Sequence, residues 1–412
     1  MNLKNSILTL FVVSLTMACN SQENHKDKGK IDAEHVIIYH AEGRFAGWPA
    51  NSGPVILDND RILTGFTEGG YQLDDGHNIT KPYFNMLAGS DDGGKTWTTW
   101  DPEGFVGDLG ERPELKKLEK PLDFETPGFV MRIVGTGYHG AEDPRAHFFY
   151  SMNGGESWMG PFGFAGFDHT MIPGDHNLTE LTPRTDYIIT GAKECIIFMS
   201  ARQEGVFGSD RLFCISTRDG GQSFNFLGWV VKPFNPEDTT DVSKVDLYDD
   251  EERNPYATEC RAVMSSSVML DDGTLMSAVR RKFIIRGGTD QHWLDLYVSK
   301  DGGKTWAFRS TISDTGPKNG NPPALAITGD GRLCVVYGNR KHGTINTRYS
   351  DDRGRTWTDP IVLLDEFWSE DMELNDLGYP GLVRRSDGKM VAMVYYSTRE
   401  HLHHLRAIIW EP

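Results

Sequence analysis

An eight-residue phrase occurs five times along the chain: Ser90-Asp-Asp-Gly-Gly-Lys-Thr-Trp97, Ser151-Met-Asn-Gly-Gly-Glu-Ser-Trp158, Thr217-Arg-Asp-Gly-Gly-Gln-Ser-Phe224, Ser299-Lys-Asp-Gly-Gly-Lys-Thr-Trp306 and Ser350-Asp-Asp-Arg-Gly-Arg-Thr-Trp357. Its frame is Ser/Thr-x-Asp/Asn-x-Gly-x-Thr/Ser-Trp/Phe, and each part has a physical use. The Asp or Asn side chain caps its own turn, the Gly takes a backbone angle other residues resist, and the aromatic ring plugs a core. One copy signals a tight β-hairpin turn. Five copies, at intervals of 61, 66, 82 and 51 residues, mean that one supersecondary unit is being reused. The chain is therefore an array of similar β units.

The phrase resembles the Asp-box of the sialidase superfamily, whose members fold as β-propellers. The resemblance runs from about residue 35 to the end of the chain. It implies an all-β fold, a β-propeller of four-stranded antiparallel blades. Inner hairpins such as Val55 to Phe66, Leu270 to Met276, Ile327 to Cys334 and Val383 to Met390 bring the count to six blades, against five octapeptides. The sixth blade begins near Tyr379, ends at Trp410 and lacks an outer strand. His35-Val-Ile-Ile-Tyr39 supplies it, which closes the ring through the two chain ends. No Pro/Gly-rich linker divides the array, so residues 35–412 form a single domain.

The N-terminus has a basic start, an apolar run from Ile7 to Ala18, and then Cys19. The run is too short to span a bilayer and reads as a signal peptide over 1–18. Ala18-Cys19 resembles a bacterial lipoprotein cleavage site, with Cys19 as the lipidation residue and 19–34 as a polar tether. The resemblance places the protein outside the cytoplasm, in the periplasm or at the outer-membrane or cell surface, membrane-anchored and monomeric. Four further cysteines show no metal-ligand spacing. Cys195, Cys214 and Cys334 lie in apolar strand runs, the pattern of buried thiols, while a Cys195–Cys214 bridge between neighbouring strands stays open. Lys and Arg number 42 against 59 Asp and Glu, a formal charge of −17, which excludes nucleic acid as partner and makes any basic pocket a local exception.

With the octapeptides on one rim, the opposite rim collects the loops between second and third strands and the entries to the inner strands. Those segments hold His77, His139, Arg202, Arg280, Arg281, Arg340 and His401, and the first entry adds Arg44, Trp48 and Asn51. Cations converging from separate blades imply a substrate-binding set of Arg280, Arg340, Arg202 and Arg44, with Trp48 and Asn51 beside it. By resemblance, Arg280 and Arg340 match the second and third carboxylate-binding arginines of sialidases. Tyr379, in Gly378-Tyr-Pro-Gly-Leu, matches the nucleophilic tyrosine. Where the family opens its first blade with Arg-Ile-Pro, this chain has Gly47-Trp48-Pro49, so the first arginine is absent or replaced by Arg44. The strand expected to carry a glutamate beside the tyrosine, Ala262 to Leu270, holds no acid, and Glu259 lies just outside it. Asp74, Asp75 and His77 occupy the region of the acid aspartate.

These departures favour a different reaction for an acidic poly- or oligosaccharide substrate: β-elimination at a uronic acid, releasing a sugar or water. The arginines would neutralise the carboxylate, and Tyr379, His139 and His77 would move the protons. The residue types are similar to those of β-propeller polysaccharide lyases and uronate dehydratases such as ulvan lyases. The alternatives are a sialidase-type exo-glycoside hydrolase using Tyr379 with Asp74 or Asp75, and a surface glycan-binding propeller without catalysis. No cofactor is required by any of the three, although a zinc ion near His401 and His403 would fit their alternate spacing on an extended strand.

Overall fold

The computed structural model describes residues 29–57, 59–73, 77–103, 114–135, 145–174, 177–203, 210–233, 260–283, 291–316, 320–370 and 376–412. The expected signal peptide, Cys19 and most of the expected tether lie outside these residues, as do His139, Asp74, Asp75 and Glu259.

The chain forms six antiparallel sheets, one per blade of a six-bladed β-propeller. After β1 (Glu34–Tyr39), blade 1 contains β2 (Arg44–Gly47), the short helix α1 (Pro49–Ser52), β3 (Val55–Ile56), β4 (Ile62–Tyr71), β5 (Ile79–Ser90) and β6 (Thr98–Trp100). Here β2 and β3 are two pieces of one inner strand, both paired with β4. Blade 2 has β7 (Val130–Gly135), β8 (Ala146–Ser151) and β9 (Met159–Gly163). Blade 3 has a split inner strand, β10 (Leu178–Leu181) and β11 (Tyr187–Gly191), then β12 (Glu194–Gln203), β13 (Arg211–Thr217) and β14 (Asn225–Val231). Blade 4 is β15 (Cys260–Met269), β16 (Leu275–Phe283), β17 (Gln291–Ser299) and β18 (Ala307–Asp314). Blade 5 is β19 (Ala324–Ile327), β20 (Leu333–Asn339), β21 (Thr344–Ser350) and β22 (Ile361–Leu364), and blade 6 is β23 (Gly378–Arg384), β24 (Met390–Tyr396) and β25 (His404–Trp410). Ring closure follows the sequence expectation: β1 pairs antiparallel with β25, from Glu34↔Ile409 to Tyr39↔Leu405.

Middle strands are covered on both faces by neighbouring blades, which is why Met390-Val-Ala-Met-Val-Tyr-Tyr396 reads as a continuous apolar run and is buried throughout. Six apolar clusters fill the six seams. Leu63 and Leu87 meet Phe149 and Trp158 between blades 1 and 2, Phe148 meets Phe213 between 2 and 3, and Phe198 meets Tyr297 between 3 and 4. Leu296 meets Val335 between 4 and 5, Val336 meets Val394 between 5 and 6, and Phe45 meets Tyr395 between 6 and 1.

Each octapeptide works as its chemistry suggests. Asp301 accepts from the Lys304 and Thr305 backbone N–H groups at 3.1 and 3.0 Å, and Ser299 Oγ accepts from the Gly303 N–H at 2.9 Å. Gly302 and Gly303 take φ of 73° and 92°, the left-handed region that favours glycine. Trp306 Nε1 then donates to the Gly303 carbonyl and its ring meets Phe198 across the seam, with centroids 5.8 Å apart. The five aromatic rings serve five seams. The sixth, between blades 5 and 6, has no octapeptide, and there Trp410 from the chain end takes the position, its Nε1 donating to Tyr349 Oη at 2.7 Å.

Blade 2 is the exception. Among the described residues it shows three strands, and no strand pairs with the inner edge of β7. Side chains of blade 3 satisfy that edge instead: the Ile133 N–H donates to Thr185 Oγ1 at 3.0 Å and the Met131 N–H to Tyr187 Oη at 3.2 Å. Cys195, Cys214 and Cys334 are free thiols. Cys195 faces Thr217 in the β12–β13 register, three positions from the Phe198↔Cys214 pair, so the open bridge is not made. Burial pushes the Cys214 and Cys334 thiols up to about 12.

Candidate active site

The site lies on the rim opposite the octapeptides, where inner strands begin and second strands end. Its centre is Tyr379, at the start of the innermost strand of blade 6. Gly378 and Tyr379 both take positive φ, 104° and 44°, and the β23–β24 register is broken there. Such a backbone is costly for a tyrosine and persists only where the surroundings fix it. The fixing contact is Asn321, whose Oδ1 accepts the Tyr379 N–H at 2.7 Å. A Cβ on residue 378 would stand 1.9 Å from that oxygen, so only glycine fits.

The Tyr379 hydroxyl accepts a hydrogen bond from Arg280 Nη1 at 3.1 Å, and the Arg280 and Arg340 guanidinium carbons lie 5.7 and 5.8 Å from its ring centroid. Burial by itself would make the phenol a weaker acid. Arg280, His77 and Arg340 outweigh it and bring its pKa down to about 7. Arg280 Nη1 also lies 3.4 Å from Met264 Sδ. Met264 sits at a bulge of β15 with φ 56°, so the acid-free strand presents a thioether at this point.

Beside Tyr379 stands a second titrating group. His77 Nδ1 is 3.4 Å from Asp376 Oδ1, an ion-pair contact longer than a good hydrogen bond. Burial favours neutral imidazole, but the Asp376 carboxylate outweighs it and raises the His77 pKa. Asp376 also accepts from Arg340 Nη2 at 2.7 Å and from Tyr395 Oη. Although burial would raise its pKa, His77 and Arg340 hold it well below the usual carboxylate range. The His77 and Tyr379 rings are 6.2 Å apart, edge to face. The arrangement therefore moves both groups toward their charged forms, the phenol toward phenolate and the imidazole toward imidazolium.

The structure thus brings Tyr379, Arg280, Arg340 and His77 together, as the sequence reading expects. It does not add Arg44. That residue's Nη2 donates to Glu68 Oε2 at 2.6 Å, and Glu68, Tyr39 and Phe84 surround its guanidinium, so it does not replace the missing first arginine. Arg202 is ion-paired with Glu180 across blade 3, and Arg281 with Asp295 at 3.2 Å. Trp48 is 5% exposed rather than an open platform: with φ 63° its ring turns inward, edge-on to His77 at 4.9 Å and against Phe45 at 5.2 Å. Asn51 ties α1 to blade 3 by accepting the Thr185 N–H at 3.3 Å. His401 and His403 do not form the metal pair. His403 is stacked between Phe45 and Tyr71, while His401 meets His40, and no cluster of three or more metal-ligating side chains occurs among the described residues. Asp376, Tyr395 and Asn321 are site residues that the sequence reading missed. The one signal for Asp376 was its place three residues before Tyr379.

A family model described as BNR/Asp-box repeat matches residues 297–308, the fourth octapeptide with its flanks. Comparison with curated protein sequences gives no match. Among solved structures, a protein of unknown function from Dyadobacter fermentans superposes with a TM-score of 0.63 at 17% identity, covering 92% of this chain and 98% of that one. The α-L-arabinanase of Penicillium chrysogenum, solved with arabinobiose, gives 0.57 at 13% identity over 92% and 98%. A Hadza microbial sialidase gives 0.55 at 14% identity over 90% and 66%. At these identities the likeness is one of fold, a sialidase-like six-bladed propeller.

Proposed function

We propose that this propeller is a carbohydrate-active enzyme, a glycoside hydrolase acting at a chain end, with Tyr379 as nucleophile and His77 as proton donor. The observation that carries the reading is the pairing of a phenol brought to about 7 with an imidazole raised by Asp376, their rings 6.2 Å apart. Retaining glycosidases need a nucleophile and an acid on a similar scale of separation, about 5–5.5 Å between groups, and tyrosine nucleophiles occur among them. The arabinanase and sialidase names of the structural neighbours support hydrolysis over elimination.

In the first step the Tyr379 oxygen bonds to the anomeric carbon as the glycosidic bond breaks, and His77 gives its proton to the departing oxygen. In the second, neutral His77 takes a proton from water, whose oxygen displaces Tyr379 and leaves the phenolate to Arg280. Arg340 and Asp376 touch no leaving group; they set the charges of the pair. Removing the phenol oxygen in Tyr379→Phe is expected to lower kcat by about 10³-fold or more.

Elimination at a uronate is the second reading, because no carboxylate among the described residues contacts the Tyr379 oxygen, and a phenolate beside two arginines could serve as base. Against it, Arg340 is committed to Asp376 and Tyr395 and so is a poor clamp for a substrate carboxylate. Reaction with neutral and uronate-containing oligosaccharides in heavy-oxygen water separates the two. Hydrolysis puts solvent oxygen on the product, whereas elimination creates an ultraviolet-absorbing double bond without it. Full turnover by folded Tyr379→Phe would remove both. Export and lipid anchoring at Cys19 belong to the same proposal, since a glycan-degrading enzyme must meet its polymer outside the cell; Cys19→Ser should release the protein from membranes.

A further inference from the structure

Below Tyr379 the propeller axis holds a cavity of about 240 Å³, bounded by α1 and by the inner strands of blades 3, 4 and 6 and the entry to blade 5. Met264, whose sulfur meets Arg280, is on its wall, and Pro380 follows Tyr379 in the chain, so the cavity borders that site. A single water needs only roughly 10–15 Å³ of such space.

Asp186, buried on the axis, accepts from Ser265 Oγ at 2.5 Å, Ser267 Oγ at 2.8 Å and the Ser267 N–H at 3.2 Å. Its Oδ1 has only the last of these, which leaves it a lone pair to offer. No cation among the described residues acts on this carboxyl, and burial brings it up to about 6 despite the three hydrogen bonds. Ser266 Oγ accepts the Leu325 N–H at 2.9 Å and keeps its own proton to give. The other charged group on the wall, Arg184, donates to the Pro183 carbonyl at 3.1 Å and keeps its positive charge. A buried carboxyl with an open lone pair favours a hydrogen-bond donor.

We propose that this axial cavity is a specificity pocket that receives the hydroxyl- or amine-bearing edge of the terminal sugar, with Asp186 as the accepting residue. The proposal rests on the glycoside reading above and sharpens it: the chain end enters the axis, which makes cleavage exo, and a donor on the terminal sugar is what Asp186 reads.

The test uses the full-length protein carrying Tyr379→Phe, so that binding is read without turnover. Calorimetric titration with L-arabinose and D-glucosamine is repeated after Asp186→Asn or, as a milder change, Ser267→Ala. The neutral or the amino sugar should bind, and whichever binds names the donor. Asp186→Asn should weaken it about tenfold or more and Ser267→Ala less, with melting transitions retained. Equal affinities in the Asp186 variant, or no sugar binding at all, would overturn the pocket. Should the sugars bind through Asp186 while no glycoside is ever cleaved, the pocket stands and the hydrolase reading falls.

Discussion

The ionisation of Tyr379 is the point on which the chemistry turns, and it can be measured without knowing the substrate. The fold carries this phenol from an ordinary value of 10.0 to about 7. At ~1.36 kcal/mol per pH unit, that is on the order of 4 kcal/mol of preference for the phenolate. The other described tyrosines with perturbed values, Tyr39, Tyr71, Tyr150, Tyr187, Tyr337, Tyr349, Tyr395 and Tyr396, are all pushed up by burial. A near-ultraviolet pH titration of tyrosinate absorbance, wild type minus Tyr379→Phe, should therefore show a one-tyrosine wave near pH 7. Arg280→Gln removes the nearest cation and the 3.1 Å hydrogen bond, and should move that wave upward by at least about one pH unit. Arg44→Gln, which removes a charge paired with Glu68 and lying over the Phe84 ring, should leave it in place. Because the folded phenol is the stronger acid, its ionisation adds stability as pH rises from about 7 toward 10, and that contribution is gone below 7. If the two titrations superimpose below pH 9, Tyr379 is an ordinary buried phenol and the proposed nucleophile is lost.

Activity should follow a bell-shaped pH profile, rising as Tyr379 ionises and falling as His77 loses the proton that Asp376 holds on it; the two limbs belong to the coupled pair. Asp376→Asn should move the alkaline limb to lower pH and reduce peak kcat by about 10²-fold, read from the pH dependence of kcat. Asn321→Ala leaves the Tyr379 N–H buried without an acceptor and should cost about 1–3 kcal/mol in denaturant unfolding, with a fall in kcat larger than any change in KM. Trp410→Ala empties the seam that has no octapeptide and should cost about 3–5 kcal/mol by the same unfolding measurement, with the Tyr379 wave unmoved.

The propeller was legible because its sign is local. The hydrogen bonds of Asp301 close within four residues, so the turn can be read in a window of eight. Where the same job is done at a distance, the reading fails. Trp410 replaces an octapeptide through a partner 61 residues away, and Thr185 completes the edge of blade 2 across 52. The site is non-local throughout, with 99 residues between Arg280 and Tyr379 and 55 between Arg340 and Tyr395. Arg280, Arg340 and Tyr379 could be placed side by side from the sequence because a family resemblance stands in for the missing contacts. Arg44 was misjudged because its acid, Glu68, is on the facing strand of the hairpin. Trp48 looked exposed between Gly47 and Pro49, yet its left-handed backbone turns the ring inward. Trp48, Met264, Tyr379 and His403 share that rare backbone, which tertiary packing imposes and no propensity announces.

The acid-free strand of blade 4 then has a physical reading that its sequence alone did not offer. Met264 stands where its sulfur meets the same Arg280 nitrogen that donates to Tyr379. A thioether is a weak acceptor and leaves the guanidinium charge to act on the phenol. A glutamate there would pair with Arg280 and cancel much of that charge, so the two ways of activating a tyrosine, by a carboxylate base or by a cationic field, work against each other at this position. Met264→Glu should therefore raise the Tyr379 wave by about one pH unit or more and cut kcat at neutral pH, whereas Met264→Leu should leave the wave where it is. A Met264→Glu protein that titrates like wild type would mean that Arg340 and His77 set the phenol alone, and the thioether would carry no role in the chemistry.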